Sequence, residues 1–164
     1  MTDETFNSLV GDLDYPMFIV TVCAGGERSG CLIGFATQAS IDPSRFLVCL
    51  SHNNRTYRRG RDAELLGVHC VPEHAAALAE LFGGETGDEV DKFARCAWTD
   101  GPQGVPILDE VARWFVGRVV DRWDGDGDHL ALVLEPVEAA APDGDGPGPF
   151  RLAAASELEP GHPA

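Results

Sequence analysis

Four arginines, Arg55, Arg58, Arg59 and Arg61, fall within one short stretch, SHNNRTYRRGR, of a chain with only 12 Lys and Arg against 27 Asp and Glu. Ser51, Asn53, Asn54 and Thr56 add hydroxyl and amide groups to the same stretch. Guanidinium groups, hydroxyls and the N–H groups that begin a helix are all donors, and donors converging on one point suit an anion such as phosphate. The competing reading is a solvated helix whose arginines pair with acidic neighbours. Composition alone leaves the two open.

A second stretch, WDGDGDHLALVLE, sets Asp124, Asp126 and Asp128 at alternate positions with Glu135 at the twelfth place. That is the skeleton of an EF-hand calcium loop. The sixth place, where the sharp turn needs glycine, is His129, and the ninth, usually polar, is Leu132. The flanks are β-patterned, so the stretch reads as a hairpin turn and not as a metal loop. His129 itself, at the start of the following strand, is a candidate for function against the alternative of a structural or solvated histidine. His52, His69, His74 and His162 have no metal-ligand spacing with it, and no metal site is expected. A third candidate is the small-residue run GFATQAS (34–40), where a planar ligand could lie close to the backbone; ordinary strand packing is the alternative. No dinucleotide fingerprint, P-loop or nucleophile elbow occurs.

These residues need a frame. Residues 4–13 are expected to form a short helix packing Phe6, Leu9, Val10 and Leu13. MFIVTVC (17–23) reads as a buried strand closed by the turn AGGERSG, and CLIGFATQAS (31–40) as a second extended run with a bulge at Gly34. RFLVCLS (45–51), LLGVHCV (65–71), VARWFVGRVVDRW (111–123) and HLALVLEPVEAA (129–140) complete six strands. NNRTYRRGRDAE is a short helix, PEHAAALAELF (72–82) a better one with proline at its start, GDEVDKFAR a brief helical turn, and CAWTDGPQGVPILDE a long loop. Strands that follow one another directly point to a mainly β fold, an antiparallel sheet closing into a small barrel with short helices at the crossings. Residues 1–141 form this domain. Residues 142–164, rich in Gly, Pro and acids, are expected to be a flexible tail.

The formal net charge of -15 argues against nucleic acid and against an anionic membrane surface. No run approaches the roughly 20 apolar residues of a membrane span, and the start MTDETFNSL lacks the basic region of a signal peptide. The expected location is the cytoplasm. The five cysteines are odd in number and never in C-x-x-C spacing, so most of them read as small core residues.

Taken in order, YPMFIVTV, SGCLIGFATQASIDPSRFLVCLS, NNRT, LAELFGG, DKFARCAW, GVPILD and GDH resemble the flavin reductase-like family of split β-barrels that bind FMN or FAD, over roughly residues 14–140. The resemblance implies a six-stranded antiparallel split barrel of Greek-key character, working as a homodimer with flavin near the subunit interface. It implies reduction of flavin by NAD(P)H, often to supply a partner monooxygenase. By position, Leu32, Ile33, Gly34, Phe35, Thr37, Gln38 and Ser40 would line the ring and ribityl chain. Ser51, Asn54, Arg55 and Thr56 would hold the phosphate, Lys92 and Phe93 would flank the flavin or nicotinamide, and His129 would sit near the hydride-transfer face. One departure matters: many members read T-x-S-S where this chain has Leu32, Ile33, Gly34 and Phe35. Each missing partner for a buried polar ligand atom costs on the order of 1–3 kcal/mol. The alternative is therefore a module that keeps its flavin and carries electrons with little NAD(P)H activity.

Overall fold

A computed structural model describes residues 2–159 and 161. His162 lies outside the described residues. The chain opens with helix α1 (Asp3–Gly11), capped by Thr2, whose side chain accepts from the Thr5 N–H. Strands β1 (Phe18–Ala24) and β2 (Glu27–Ile33) follow as a hairpin. Its two-residue turn is Gly25–Gly26, both with positive φ, the geometry that matches the twist of the flanking strands. Then come β3 (Ala36–Ser40), β4 (Arg45–Ser51), helix α2 (Arg55–Gly60) and β5 (Leu65–Cys70). Helix α3 (Ala76–Gly84) precedes a small hairpin, β6 (Trp98–Asp100) and β7 (Pro106–Leu108). Two long strands, β8 (Trp114–Trp123) and β9 (His129–Ala140), and the short helix α4 (Leu152–Ala155) complete the fold.

The protein is mainly β, with a large antiparallel sheet and few short helices. Among the described residues seven strands, not six, make the main sheet, in the order β2-β1-β5-β8-β9-β4-β3, and β2 and β3 are its two edges. The extra strand has a local cause. The run expected as one strand over 31–40 bends at Gly34 and Phe35, so β2 ends on one edge while β3 begins on the other. The sheet also curls, because Cys31 and Ile33 of β2 share one core cluster with Val48 and Leu50 of β4. The expected loop over 96–110 contains the β6–β7 hairpin.

Period-2 alternation explains why β1 is buried on both faces. Phe18 and Val20 enter the cluster inside the curl with Leu66, Leu132 and Leu134, while Ile19 points the other way to Leu78, Phe82 and Leu108. Full burial of each such side chain stabilises by about 1.5–3 kcal/mol. Helix α3 supplies the second cluster and packs against β2.

Two expectations fail here. Helix α1 forms, but Phe6, Leu9 and Leu13 remain about half exposed and no residue of the helix is buried. Its apolar stripe is not part of the core. The chain beyond Pro142 is not wholly a free tail: Phe150 is buried against the second cluster, Pro149 bridges Pro72, and Leu152 and Leu158 pack nearby. Main-chain bonds hold the same segment, from the Phe150 N–H to the Val71 carbonyl and from the Met17 N–H to the Phe150 carbonyl, each at 2.8 Å.

Candidate functional site

The bend at Gly34–Phe35, the end of β4 and the start of β9 meet at one cavity. Ser51 and His129 face each other in register across β4 and β9. With Leu32, Ile33, Gly34, Phe35, Cys49 and the helix-capping Asn54 they line a space of about 300 Å³, walled also by Tyr15 and Met17. A β-carbon at Gly34 would lie 3.2 Å from the Met17 sulfur and 3.3 Å from the Tyr15 ring, so glycine keeps this wall thin.

His129 is held on two sides. Its Nδ1 lies 2.6 Å from the Asp128 carboxylate, and its ring is tilted 52° against Phe35 with centroids 5.0 Å apart. With the Asp128 carboxylate as acceptor, Nδ1 is the donor of this bond. The hydrogen bond from His129 keeps the Asp128 carboxyl below the usual carboxylate range. The acidic turn is anchored a second time. His52 Nε2 is 2.8 Å from Asp124, and the His52 N–H donates to the Asp128 carbonyl at 2.9 Å. Glu135, the supposed closing ligand of a calcium loop, sits in β9 and pairs with Arg45 at 3.1 Å. Among the described residues no group of three or more His, Cys, Asp and Glu could hold a metal.

The arginine island follows Asn54 directly, on α2 and its C-cap Arg61. Asn54 caps the helix by accepting from the Thr56 N–H at 2.9 Å. Arg55 donates to the Gly87 carbonyl and pairs with Glu27 at 3.4 Å; Arg59 also pairs with Glu27. Arg58 pairs with Asp88 at 2.5 Å, and this contact holds the Asp88 carboxyl below its ordinary range. Arg61 pairs with Asp62 at 3.2 Å. The reading in which the arginines pair with acidic neighbours is thus realised for all four.

A second groove of about 520 Å³ runs past Glu27, Ser29, Gly30, Arg55 and residues 87–94. Lys92 lines it but is buried, its ammonium donating to the Phe82 carbonyl at 2.9 Å and the Gly30 carbonyl at 3.3 Å. Phe82 lies in the last turn of α3, where carbonyls lack a helical partner, so Lys92 also caps that helix. Burial lowers the Lys92 pKa, opposed by Cys31 and Glu85. Phe93 packs edge-on against Phe82 and Trp98, and the Arg28 guanidinium lies 4.3 Å over the Trp98 ring.

The structure therefore divides the candidates. Leu32, Ile33, Gly34, Phe35, Ser51, Asn54 and His129 converge on one cavity, and Arg55, Lys92 and Phe93 line the adjoining groove. Thr37, Gln38 and Ser40 stand on edge strand β3 and line neither space; Thr37 and Gln38 bond to nearby backbone carbonyls instead. Thr56 is fully buried, its hydroxyl 2.9 Å from that of Ser29, and so pins α2 to β2. Tyr15, Met17, Glu27 and Asp128 were not among the candidates. Asp128 was legible as a carboxylate next to His129, whereas nothing in the local pattern marks Glu27.

Comparison with known proteins gives the family of the chain. A protein of Agrobacterium fabrum named FMN reductase (NADH) RutF is 29% identical over 127 residues, covering 77% of this chain and 72% of that protein. The stachydrine N-demethylase reductase subunit Stc3 of Rhizobium meliloti is 30% identical over 118 residues, 70% of this chain and 50% of that one. Together with a probable flavin reductase of the same organism, of which the chain spans 37%, these relatives are matched over only part of their length. The flavin reductase domain protein of Arthrobacter sp. FB24 superposes with a TM-score of 0.81 at 24% identity, covering 92% of this chain and 90% of that one, which shows the same fold. The model of the flavin reductase like domain matches residues 10–155, and the chain belongs to that family.

Proposed function

We propose that the protein is an NAD(P)H-dependent flavin reductase that binds FMN or FAD at the cavity formed by the Gly34–Phe35 bend, Ser51, Asn54 and His129. The single observation that carries this reading is that convergence: a thin apolar wall, two small polar side chains and an oriented imidazole lining one cavity. A flavin is a flat ring system with a polar edge and a ribityl chain, and this set of groups suits it. The Leu32–Phe35 wall takes the ring, Ser51 and Asn54 meet the polar chain, and Arg55 on the adjacent turn meets the phosphate of FMN. When bound, flavin supplies the hydride acceptance and onward electron transfer. The chain's own residues do three things there. Tyr15, Met17 and Leu32 exclude water, Asp128 keeps a proton on His129 Nδ1, and His129 presents Nε2 to the reactants. His129 orients; it is not needed as a base.

The seven-stranded curled sheet is read as the split barrel of this family in a homodimer. In this reading the protein works in the cytoplasm and supplies reduced flavin to a partner, a monooxygenase; one relative is likewise named as the reductase subunit of a larger enzyme, an N-demethylase. A second reading has one observation behind it. Leu32, Gly34 and Phe35 offer no side-chain hydroxyl to the ring, which favours a module that retains flavin and carries electrons slowly.

A visible spectrum of the purified protein, followed by NADH or NADPH with and without FMN, separates the readings. Pyridine nucleotide oxidation that depends on added flavin supports the reductase. A yellow protein that does not accelerate it supports the carrier. No flavin bound or reduced at micromolar levels would sink both.

A further inference from the structure

We propose that Glu27 is a specificity-determining residue of the flavin site: its carboxylate occupies the anion position between Arg55 and Arg59, so that a phosphorylated flavin must displace it. The inference rests on the flavin reading above. Its basis is where the positive charge goes. Arg55 and Arg59 both pair with the one carboxylate of Glu27. The third arginine of this face, Arg58, is taken by Asp88. A phosphate arriving next to Asn54 therefore finds guanidiniums that already hold anions, and exchanges one anionic partner for another. The gain from such an exchange is small compared with that from meeting unpaired arginines. Riboflavin, which has no phosphate, meets no such competition.

The geometry also permits the exchange. Glu27 begins β2 directly after the Gly25–Gly26 turn, its backbone fixed opposite Ala24 while its side chain is about half exposed. The carboxylate can swing out to water without disturbing the ladder. Arg55 does not depend on it for position, because the Gly87 carbonyl holds the same guanidinium from the other side. The site is thus built with its arginines in place and an internal anion on them.

The test is a titration of FMN and of riboflavin at low ionic strength, followed by flavin fluorescence, on the wild type, Glu27→Gln and Glu64→Gln. Glu64 pairs with Arg118 of β8 and not with an arginine of α2, so its variant removes the same charge from a different pair. Glu27→Gln is expected to tighten FMN about five- to tenfold, as loss of two competing exposed pairs implies. Riboflavin should stay within about twofold, and Glu64→Gln should change neither, because its carboxylate holds Arg118 and competes for no guanidinium of α2. An unchanged FMN affinity in Glu27→Gln overturns the inference while leaving the flavin reading intact. Equal tightening of riboflavin, or the same gain from Glu64→Gln, overturns it as a general charge effect. A wild type that binds neither flavin removes the flavin reading itself, and the inference with it.

Discussion

Nδ1 of His129 lies 2.6 Å from Oδ1 of Asp128, its neighbour in the chain. This contact holds the imidazole against its neighbour, and it makes the two residues a unit whose effects should not add. His129→Ala is expected to slow flavin reduction about tenfold, the loss of roughly one oriented hydrogen bond. Asp128→Asn should lose less, and the double variant should equal His129→Ala alone. Single-turnover reduction measures this. Unchanged kinetics in His129→Ala would return the residue to a structural role.

Gly34 lies against Met17 and Tyr15 in the wall of the cavity. A β-carbon there meets both at 3.2–3.3 Å, and Met17 can yield because its thioether is flexible. Gly34→Ala should therefore fold, at a cost of about 1 kcal/mol and a melting temperature about 3 °C lower. Flavin affinity should fall more than stability does, by about tenfold, because the displaced wall is the ligand's surface. A variant that melts lower yet binds flavin normally would move the ring elsewhere.

What the sequence made legible follows from which interactions are local. The strands at 17–23, 45–51 and 129–140 carry their period or apolar run in their own residues, and they lie where expected. The hairpin between β8 and β9 was readable from WDGDGD, because Asp and Gly dictate a turn wherever they occur in such numbers. The break of 31–40 into β2 and β3 was half readable: Gly34 signalled irregularity, but only the pairing partners decide that the two pieces lie on opposite edges. The site split along the same line. Ser51, Asn54 and His129 were recognisable by motif, while the pairing of Arg55 with Glu27, across 28 positions, has no local signature. The exposed stripe of α1 shows the reverse error, since apolar spacing predicts a buried face but not what will cover it.

Arg55 and Lys92 are both cations beside the same groove, and the structure assigns them different work. Arg55 is held by a carbonyl and an exchangeable carboxylate, so Arg55→Ala should weaken FMN binding about tenfold and riboflavin little. Lys92 is buried with its donors on two main-chain carbonyls. Lys92→Met should cost about 1–3 kcal/mol of stability through those unsatisfied carbonyls, with equal effects on both flavins. Denaturant unfolding and paired flavin titrations check the contrast. A selective loss of FMN affinity in Lys92→Met would place its ammonium on the ligand.

His69 joins three elements from inside the protein and titrates as a consequence. It is fully buried, with Nδ1 3.1 Å from the Ile19 carbonyl and Nε2 accepting from the Leu108 N–H at 3.1 Å. That arrangement requires a neutral ring, because a protonated Nε2 would face a donor. Burial lowers its pKa from 6.5 to about 4, partly opposed by the bond to Ile19. Between those values the unfolded chain takes a proton that the folded protein refuses. Stability from this group is therefore complete above about pH 6.5 and declines as pH falls towards 4, by up to about 3 kcal/mol. Urea midpoints across this range will include the carboxylates as well, so the comparison is with His69→Asn, which can donate and accept but does not titrate. The variant should be less stable at neutral pH and lose less on acidification. Parallel curves for the two proteins would mean that His69 is not the group that links the core to pH.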